Sequence, residues 1–417
     1  MARFKFTKCE RSWVLYDVAN SAMVLLSTAL IPIYFNYLAA ESGLSGEGSP
    51  AMVAWAWAAT IATLVVALLM PVLGSLADYK GNKKKFFIGF FGTGVVLGAL
   101  LGIPHHWLTF LAVYVIMTVC LNSSMVFYDS FLVDVTSDER MDVVSSNGYA
   151  WGYIGSVVPF LVCLVVVLMR ESLGIPFTVA MAISFVITAA WWAIFTIPLL
   201  RNVKQTHWKE RQPHPVSASL KGLAITLRDI AKDKPLLMYM VAYFFYIDGV
   251  HTIISMATSY GSSVGIDSTQ LLLALLVTQF VAFPSAIAYG RIASKRGTRK
   301  MIIVGVVGYT CIAIFAAFFL VNAVTFWVLA IAVGLFQGGI QACSRSYYGR
   351  LIPKERSNEY YGFFDIFGKY AAVLGTAIVA VVTQITGHGN LGVLSVGLLF
   401  IVGLVLLVKM PKTAADV

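Results

Sequence analysis

Residues Gly74 to Lys85 read GSLADYKGNKKK, and residues Gly290 to Lys300 read GRIASKRGTRK. The second stretch begins 216 positions after the first, and Gly74, Ala77, Gly81 and Lys84 match Gly290, Ala293, Gly297 and Lys300. Each is a polar, glycine-bearing connector between two long apolar runs. Such a repeat implies two similar halves, and two halves can rock against each other.

The apolar runs set the class. The chain has 417 residues, 59% hydrophobic and 12% charged. A water-soluble domain cannot hide that much apolar surface, so the expectation is a polytopic membrane protein. A span takes about 20 apolar residues. Twelve such stretches follow one another, from Trp13–Leu38 to Leu391–Val408. Each must be a helix, because lipid offers its backbone groups no other partner. The N-terminus MARFKFTKCERSW carries no cleavable signal pattern, and the run after it is too long for a signal core. It reads as span 1. Cys9, Cys120, Cys163, Cys311 and Cys343 show no paired spacing, which predicts neither a disulfide frame nor a metal site.

The formal charge of +10 follows topology. With both termini cytoplasmic, 27 of the 30 lysines and arginines fall on inner segments; the exceptions are Arg170, Arg345 and Lys369. Positive residues inside are the orientation signal of a multi-pass protein. This expectation places the chain in a bacterial inner membrane, helped by anionic lipid, with no nucleic-acid partner.

Six spans precede a polar stretch and six follow it. The expected organisation is a bundle over 1–200, a linker over 201–234 and a bundle over 235–417. Within the linker, Leu220, Leu223, Leu227 and Ile230 recur at helical spacing, predicting a short amphipathic helix on the inner surface. The repeat continues: Glu139-Arg140 matches Glu355-Arg356, and Gly152 matches Gly368. YDVANS in span 1 matches IDGVHT in span 7, pairing Asp17 with Asp248, Asn20 with His251 and Ser21 with Thr252. An even number of spans per half makes the repeat parallel.

With these residues in view, the chain resembles the major facilitator superfamily, whose loop between spans 2 and 3 reads G-x-L-a-D-r-x-G-r-[KR]. LYDVANSA, FYDSFLVDVTSDERMDVVSSNGYAWGYIG and QGGIQACSRSYYGRLIPKERSNEYYGFFDIFGK narrow the resemblance to the vacuole-effluxer branch, which includes the fungal autophagy-related amino-acid exporter. The resemblance implies an all-α membrane protein of twelve transmembrane helices in two pseudo-symmetric six-helix bundles, working by alternating access. It also implies that Asp78 caps a neighbouring helix, with Gly74, Gly81 and Lys84 completing the conformational motif. Lys83 to Lys85 are otherwise expected to be topology charges. In the second copy Ser294 replaces the acid, so a much weaker second latch is expected.

Charge inside spans is costly and marks function or a partner. Asp17, Asp129, Asp248, His251, Arg345 and Asp365 are the candidates for coupling or gating. Asp129 is expected to meet Arg345 or Lys369 across the halves; the alternative is that Arg345 pairs locally with Asp365 or a backbone carbonyl and Asp129 caps a helix end. Asp17 either titrates or anchors span 1 to Arg140. Asn20, Tyr128, Trp151, Tyr153, Gln337, Gln341 and Lys369 are the candidate substrate-binding residues; for the amides the alternative is helix–helix hydrogen bonding, as for Gln279. Paired acids and bases suit a zwitterion.

The expected function is secondary active transport of a small polar solute, an amino acid or similar zwitterion, coupled to a proton or sodium ion. The alternative is a proton-coupled antiporter for drugs or amphiphiles. The protein is expected to be a monomer without cofactor. No nucleophile with its base, metal-ligand cluster or nucleotide-binding loop supports an enzyme.

Overall fold

A computed structural model describes residues 4–44, 50–213 and 215–416; within its helices the side chains of 216–217, 221, 258–259, 263, 268–269, 272 and 369–373 lie outside the description. The chain is built from helices: α1 (Lys8–Glu41), α2 (Pro50–Ala77), α3 (Lys83–Leu100), α4 (Trp107–Ser130), the single turn α5 (Leu132–Val135), α6 (Met141–Leu168) and α7 (Phe177–Asn202). They continue with α8 (Pro215–Lys232), α9 (Lys234–Ser263), α10 (Ser268–Arg296), α11 (Thr298–Phe319), α12 (Ala323–Leu351), α13 (Ser357–Thr386) and α14 (Gly389–Lys409).

Among the described residues, ten helices are long and apolar enough to cross a membrane. With α3, which opens on three lysines, and α13, which opens on a polar turn, they make the twelve spans of a major facilitator fold. Apolar side chains such as Leu68, Leu168 and Ile385 stand fully outside the protein core. In water that would be a liability; against lipid it is the default.

Two compact units form. Unit 1 comprises Met1–Val135, Trp151–Ser219 and Glu355–Gly362, and unit 2 comprises Thr136–Ala150, Leu220–Lys354 and Phe363–Val417. Within unit 1, α1 packs on α7 and α4, α3 on α4 and α7, and α2 on α4. Within unit 2, α9 packs on α14 and α12, α11 on α12 and α14, and α10 on α12. The packing partners correspond one to one under the sequence repeat. Unit 1 is centred on an aromatic stack, with the Trp13 and Tyr128 rings 4.5 Å apart and Tyr16 4.6 Å from Tyr128. The Trp13 Nε1–H donates to the Tyr128 carbonyl at 2.9 Å, which satisfies the indole's one polar group.

The linker helix α8 buries Ser219, Thr226 and Ile230, whereas Leu220, Ile225 and Leu227 are exposed. Periodicity alone assigns the apolar residues to a single buried face. Here only part of that face meets protein, and Leu220 and Leu227 stand free beside it.

Candidate functional site

Gly74–Lys85 forms the tight connector expected from its glycines. Gly81 has φ +75° and its repeat partner Gly297 has φ +96°, a left-handed backbone that side chains with a Cβ resist. A Cβ on Gly74 would lie 2.5 Å from the Asn358 carbonyl oxygen, so only glycine lets α13 begin this close. The close approach places Asp78 at the N-terminus of α13. Its Oδ1 accepts from the Asn358 backbone N–H at 2.9 Å and the Asn358 side-chain amide at 2.7 Å, while Oδ2 accepts from the Glu359 N–H at 3.1 Å. These amides are free because a helix start has no earlier carbonyl to bond, and the helix dipole favours an anion there. Asp78 is 1% exposed. Burial pushes its carboxyl up to about 7, against the downward pull of Lys83, the Asn358 amide and Lys209.

Lys83 is more than a topology charge. It is fully buried, and its Nζ donates to Asp134 Oδ2 at 2.6 Å, Ser357 Oγ at 2.9 Å and the Ser130 carbonyl at 3.2 Å. Lys84 Nζ donates to the Val203 carbonyl at 2.9 Å, closing the end of α7. The segment after α7 folds back on the same cluster: Thr206 and His207 donate backbone N–H to Asp134 Oδ1 at 2.8 and 2.9 Å, and Lys209 lies 3.6 Å from Glu359. Charge counting missed Lys83, Asp134, Lys209 and Glu359, because it treats connector charges as solvated.

The second copy of the connector has a latch of its own. Ser294 is exposed and its hydroxyl turns back to the Arg291 carbonyl at 3.1 Å. The acid comes instead from the first turn of α6. Asp142, 2% exposed, accepts from Thr298 Oγ1 at 2.6 Å, from Ser346 Oγ at 2.5 Å and from the Arg350 guanidinium. The expectation of a much weaker second latch therefore needs revision: Ser294 leaves the connector neutral, but the carboxylate sits on the facing helix. The signal was in the repeat. Asp142 and Asn358 lie 216 positions apart, as do Asp134 and Arg350, so each cluster keeps its geometry and redistributes its charges.

Inside unit 2, four sequence candidates gather. Asp248, fully buried on α9, accepts from the Gly375 backbone N–H at 2.9 Å and the Thr252 hydroxyl at 3.3 Å through Oδ1. Its Oδ2 has no hydrogen-bond partner among the described residues. His251, on the same helix, bonds the Gly368 backbone and the Gln341 side chain. Gly375 donates sideways from within α13, and its repeat position in α6 is Pro159, which has no N–H to donate. Gln341 Nε2 also reaches the Gln337 carbonyl at 3.0 Å, and Gln337 is buried on α12.

The remaining candidates lie elsewhere. Asp17 and Asn20 are buried on α1 in unit 1, and the Asn20 amide donates to the Tyr16 carbonyl at 3.0 Å. Tyr128 belongs to the aromatic stack, Trp151 is exposed and Tyr153 half-buried. Asp129 is half-buried in unit 1, and Asp365 is half-buried in unit 2. Arg345, buried in unit 2, donates to Ser145 Oγ and the Ser145 carbonyl, both at 3.0 Å, and lies over the Tyr149 ring at 4.5 Å. The side chain of Lys369 lies outside the described residues.

Comparison with known proteins agrees with this architecture. The family model described as "Vacuole effluxer Atg22 like" matches residues 7–139 and 133–416. An uncharacterized MFS-type transporter, YxiO of Bacillus subtilis (strain 168), is 45% identical over 419 residues, covering 99% of this chain and 97% of YxiO. Autophagy-related protein 22 of Cryptococcus neoformans var. neoformans serotype D (strain JEC21) is 27% identical over 272 residues, 60% of this chain and 47% of that protein. Among solved structures, the major facilitator superfamily transporter FucP in its outward conformation superposes with a TM-score of 0.73 at 13% identity, covering 97% of this chain and 98% of FucP. The paired connectors, the twelve spans and the full-length match together place this chain in the vacuole effluxer Atg22-like family of the major facilitator superfamily.

Proposed function

We propose that the chain moves a small polar solute, an amino acid or similar zwitterion, across the bacterial plasma membrane in exchange for, or together with, a proton. Both termini face the cytoplasm in this reading, which the distribution of lysine and arginine supports. The observation that carries the coupling is Asp248: a fully buried carboxyl with one oxygen bonded to α13 and the other without a partner among the described residues. An ionisable group kept in a membrane interior at such cost has a functional use. Loss and gain of a proton there changes the bond to Gly375, and so the seating of α13 on α9. His251 and Gln341, bonded to each other one turn away, are the neighbouring solute contacts. The two latches hold one state of the cycle, because each ties the first turn of a helix from one sequence half to a connector from the other.

A thermal-shift screen of the purified chain against amino acids, dipeptides, sugars and cations tests the solute class. A bound solute raises apparent stability by mass action. An amino acid should give a saturable shift that Gln341→Ala abolishes. A shift with sugars alone, or one indifferent to Gln341→Ala, would remove the zwitterion reading.

A further inference from the structure

Unit 2 contains a cavity that the transport reading does not use. It is bounded by α9, α10, α12, α13 and α14 and has a volume of about 100 Å³. Its walls are mostly apolar, with Ala274, Phe326, Ala330 and Val396 among them, and their polar side chains are Thr252, Tyr260, Thr278, Gln279 and Gln337. Water is a poor occupant. The volume corresponds to roughly three water molecules, each wanting two to four polar partners. The walls supply few: the Tyr260 hydroxyl already donates to the Ala316 carbonyl at 3.4 Å. The Thr278 hydroxyl is already committed to the Ala274 and Ala330 carbonyls at 2.8 and 3.2 Å, and the Thr252 hydroxyl donates to Asp248 at 3.3 Å.

Among the described residues, one buried polar wall atom is left over. Gln279 lines the cavity, and its buried Oε1 has no hydrogen-bond partner among them. A buried carbonyl oxygen left unpaired is costly, and only a donor can satisfy it. We propose that this cavity binds a small amphiphile: an apolar branched body of roughly four to six heavy atoms, the size such a space accepts, bearing one hydroxyl or ammonium donor that reaches Gln279 Oε1. The apolar walls take the body by removing it from water. The donor distinguishes this occupant from the end of a lipid acyl chain, which has none. The site lies wholly within one unit; it meets the buried acid through Thr252 and borders the proposed solute contact Gln341 through Gln337.

The test is saturation-transfer NMR on the full chain in detergent, with 3-methylbutan-1-ol and the donor-free 2-methylbutane as probes. Counting only the saturable signal separates the site from partition into micelles. Ala330→Leu fills the space, and Gln279→Leu removes the acceptor at nearly constant volume. The alcohol should bind saturably to the parent protein, at least tenfold more weakly to Ala330→Leu, and about three- to tenfold more weakly to Gln279→Leu, the range of one hydrogen bond. The alkane should bind Gln279→Leu as well as it binds the parent. An unsaturable alcohol signal, or equal alcohol binding by all three proteins, overturns the proposal. Alkane binding equal to alcohol binding in the parent also overturns it and points to a lipid tail. No gradient or transport step enters the measurement, so its failure leaves the reading of Asp248 untouched.

Discussion

The two latches answer the same geometric demand with the acid on opposite sides. In the first, connector residue Asp78 caps the bare amides of α13. In the second, the connector offers the Thr298 hydroxyl, and Asp142 of α6 reaches back to it and to Arg350. A serine fills the same place in both: Ser130 donates to Asn358 Oδ1 and Ser346 to Asp142 Oδ1, each at 2.5 Å. What the repeat preserves is a hydrogen-bonded helix start beside a glycine connector, and which partner carries the charge is free to change. The two should therefore fail differently. The first depends on backbone amides that meet a deeply buried carboxyl; the second depends on a direct carboxylate–guanidinium contact.

The largest effect should come from Asp78→Ala. It strips the acceptor from three donors at the start of α13, a loss of about 2–3 kcal/mol. Hydrogen exchange at the Asn358 and Glu359 amides should accelerate at least tenfold, with the start of α6 unchanged. Equal acceleration at both helix starts would erase the distinction between the latches.

In the second latch, Asp142→Ala and Arg350→Ala should each lower apparent stability by about 2 kcal/mol. Breaking a buried pair leaves an uncompensated charge, and the Arg350 side chain, 12% exposed, keeps some water to soften the loss. A double-mutant cycle should return a coupling of about 1–2 kcal/mol. Additive single effects would show that the guanidinium contact carries no weight.

Acidity should move the first latch by a smaller amount. Capped, the Asp78 carboxyl is pushed up to about 7 from its ordinary 3.8. A group that holds its proton more tightly in the capped state favours that state as pH falls through about 7, and this help is lost above it. Between pH 8 and pH 6 the gain is about 1.4 kcal/mol. Exchange at Asn358 and Glu359, corrected for intrinsic rates, should slow about tenfold over that interval, and Asp78→Asn should abolish the dependence. Faster corrected exchange at pH 6 would reverse the sign of the argument. Smallest is Gly81→Ala, where space is open and only the positive φ resists. It should cost about 1 kcal/mol of apparent stability, and an unchanged midpoint would mean the turn adapts freely.

Much of the architecture is legible in the sequence for a physical reason. Lipid forces each span to be a helix of about 20 apolar residues, so twelve spans can be counted, and the glycine connectors mark the repeat. The role of Asp78 is also readable, through the resemblance of its connector to the superfamily's loop between spans 2 and 3. The charge partners are not. Lys83 looks like one of three equivalent lysines until the fold buries it against Asp134. Asp142 looks like an ordinary first-turn acid, and its use depends on Thr298 and Arg350, 156 and 208 positions away, coming within reach. The pairing of Asp248 with Gly375 is hidden for the same reason: no side-chain pattern announces a backbone N–H turned out of its own helix.

The central claim is that Asp248 couples solute movement to a proton. The direct measurement uses liposomes containing the chain, loaded with amino acids, in which solute exchange at equal pH is compared with movement driven by a pH gradient. Asp248→Asn should keep exchange within about threefold of the parent and lose gradient-driven accumulation altogether. Accumulation that survives Asp248→Asn, or a parent protein whose solute movement ignores the pH gradient, would contradict it.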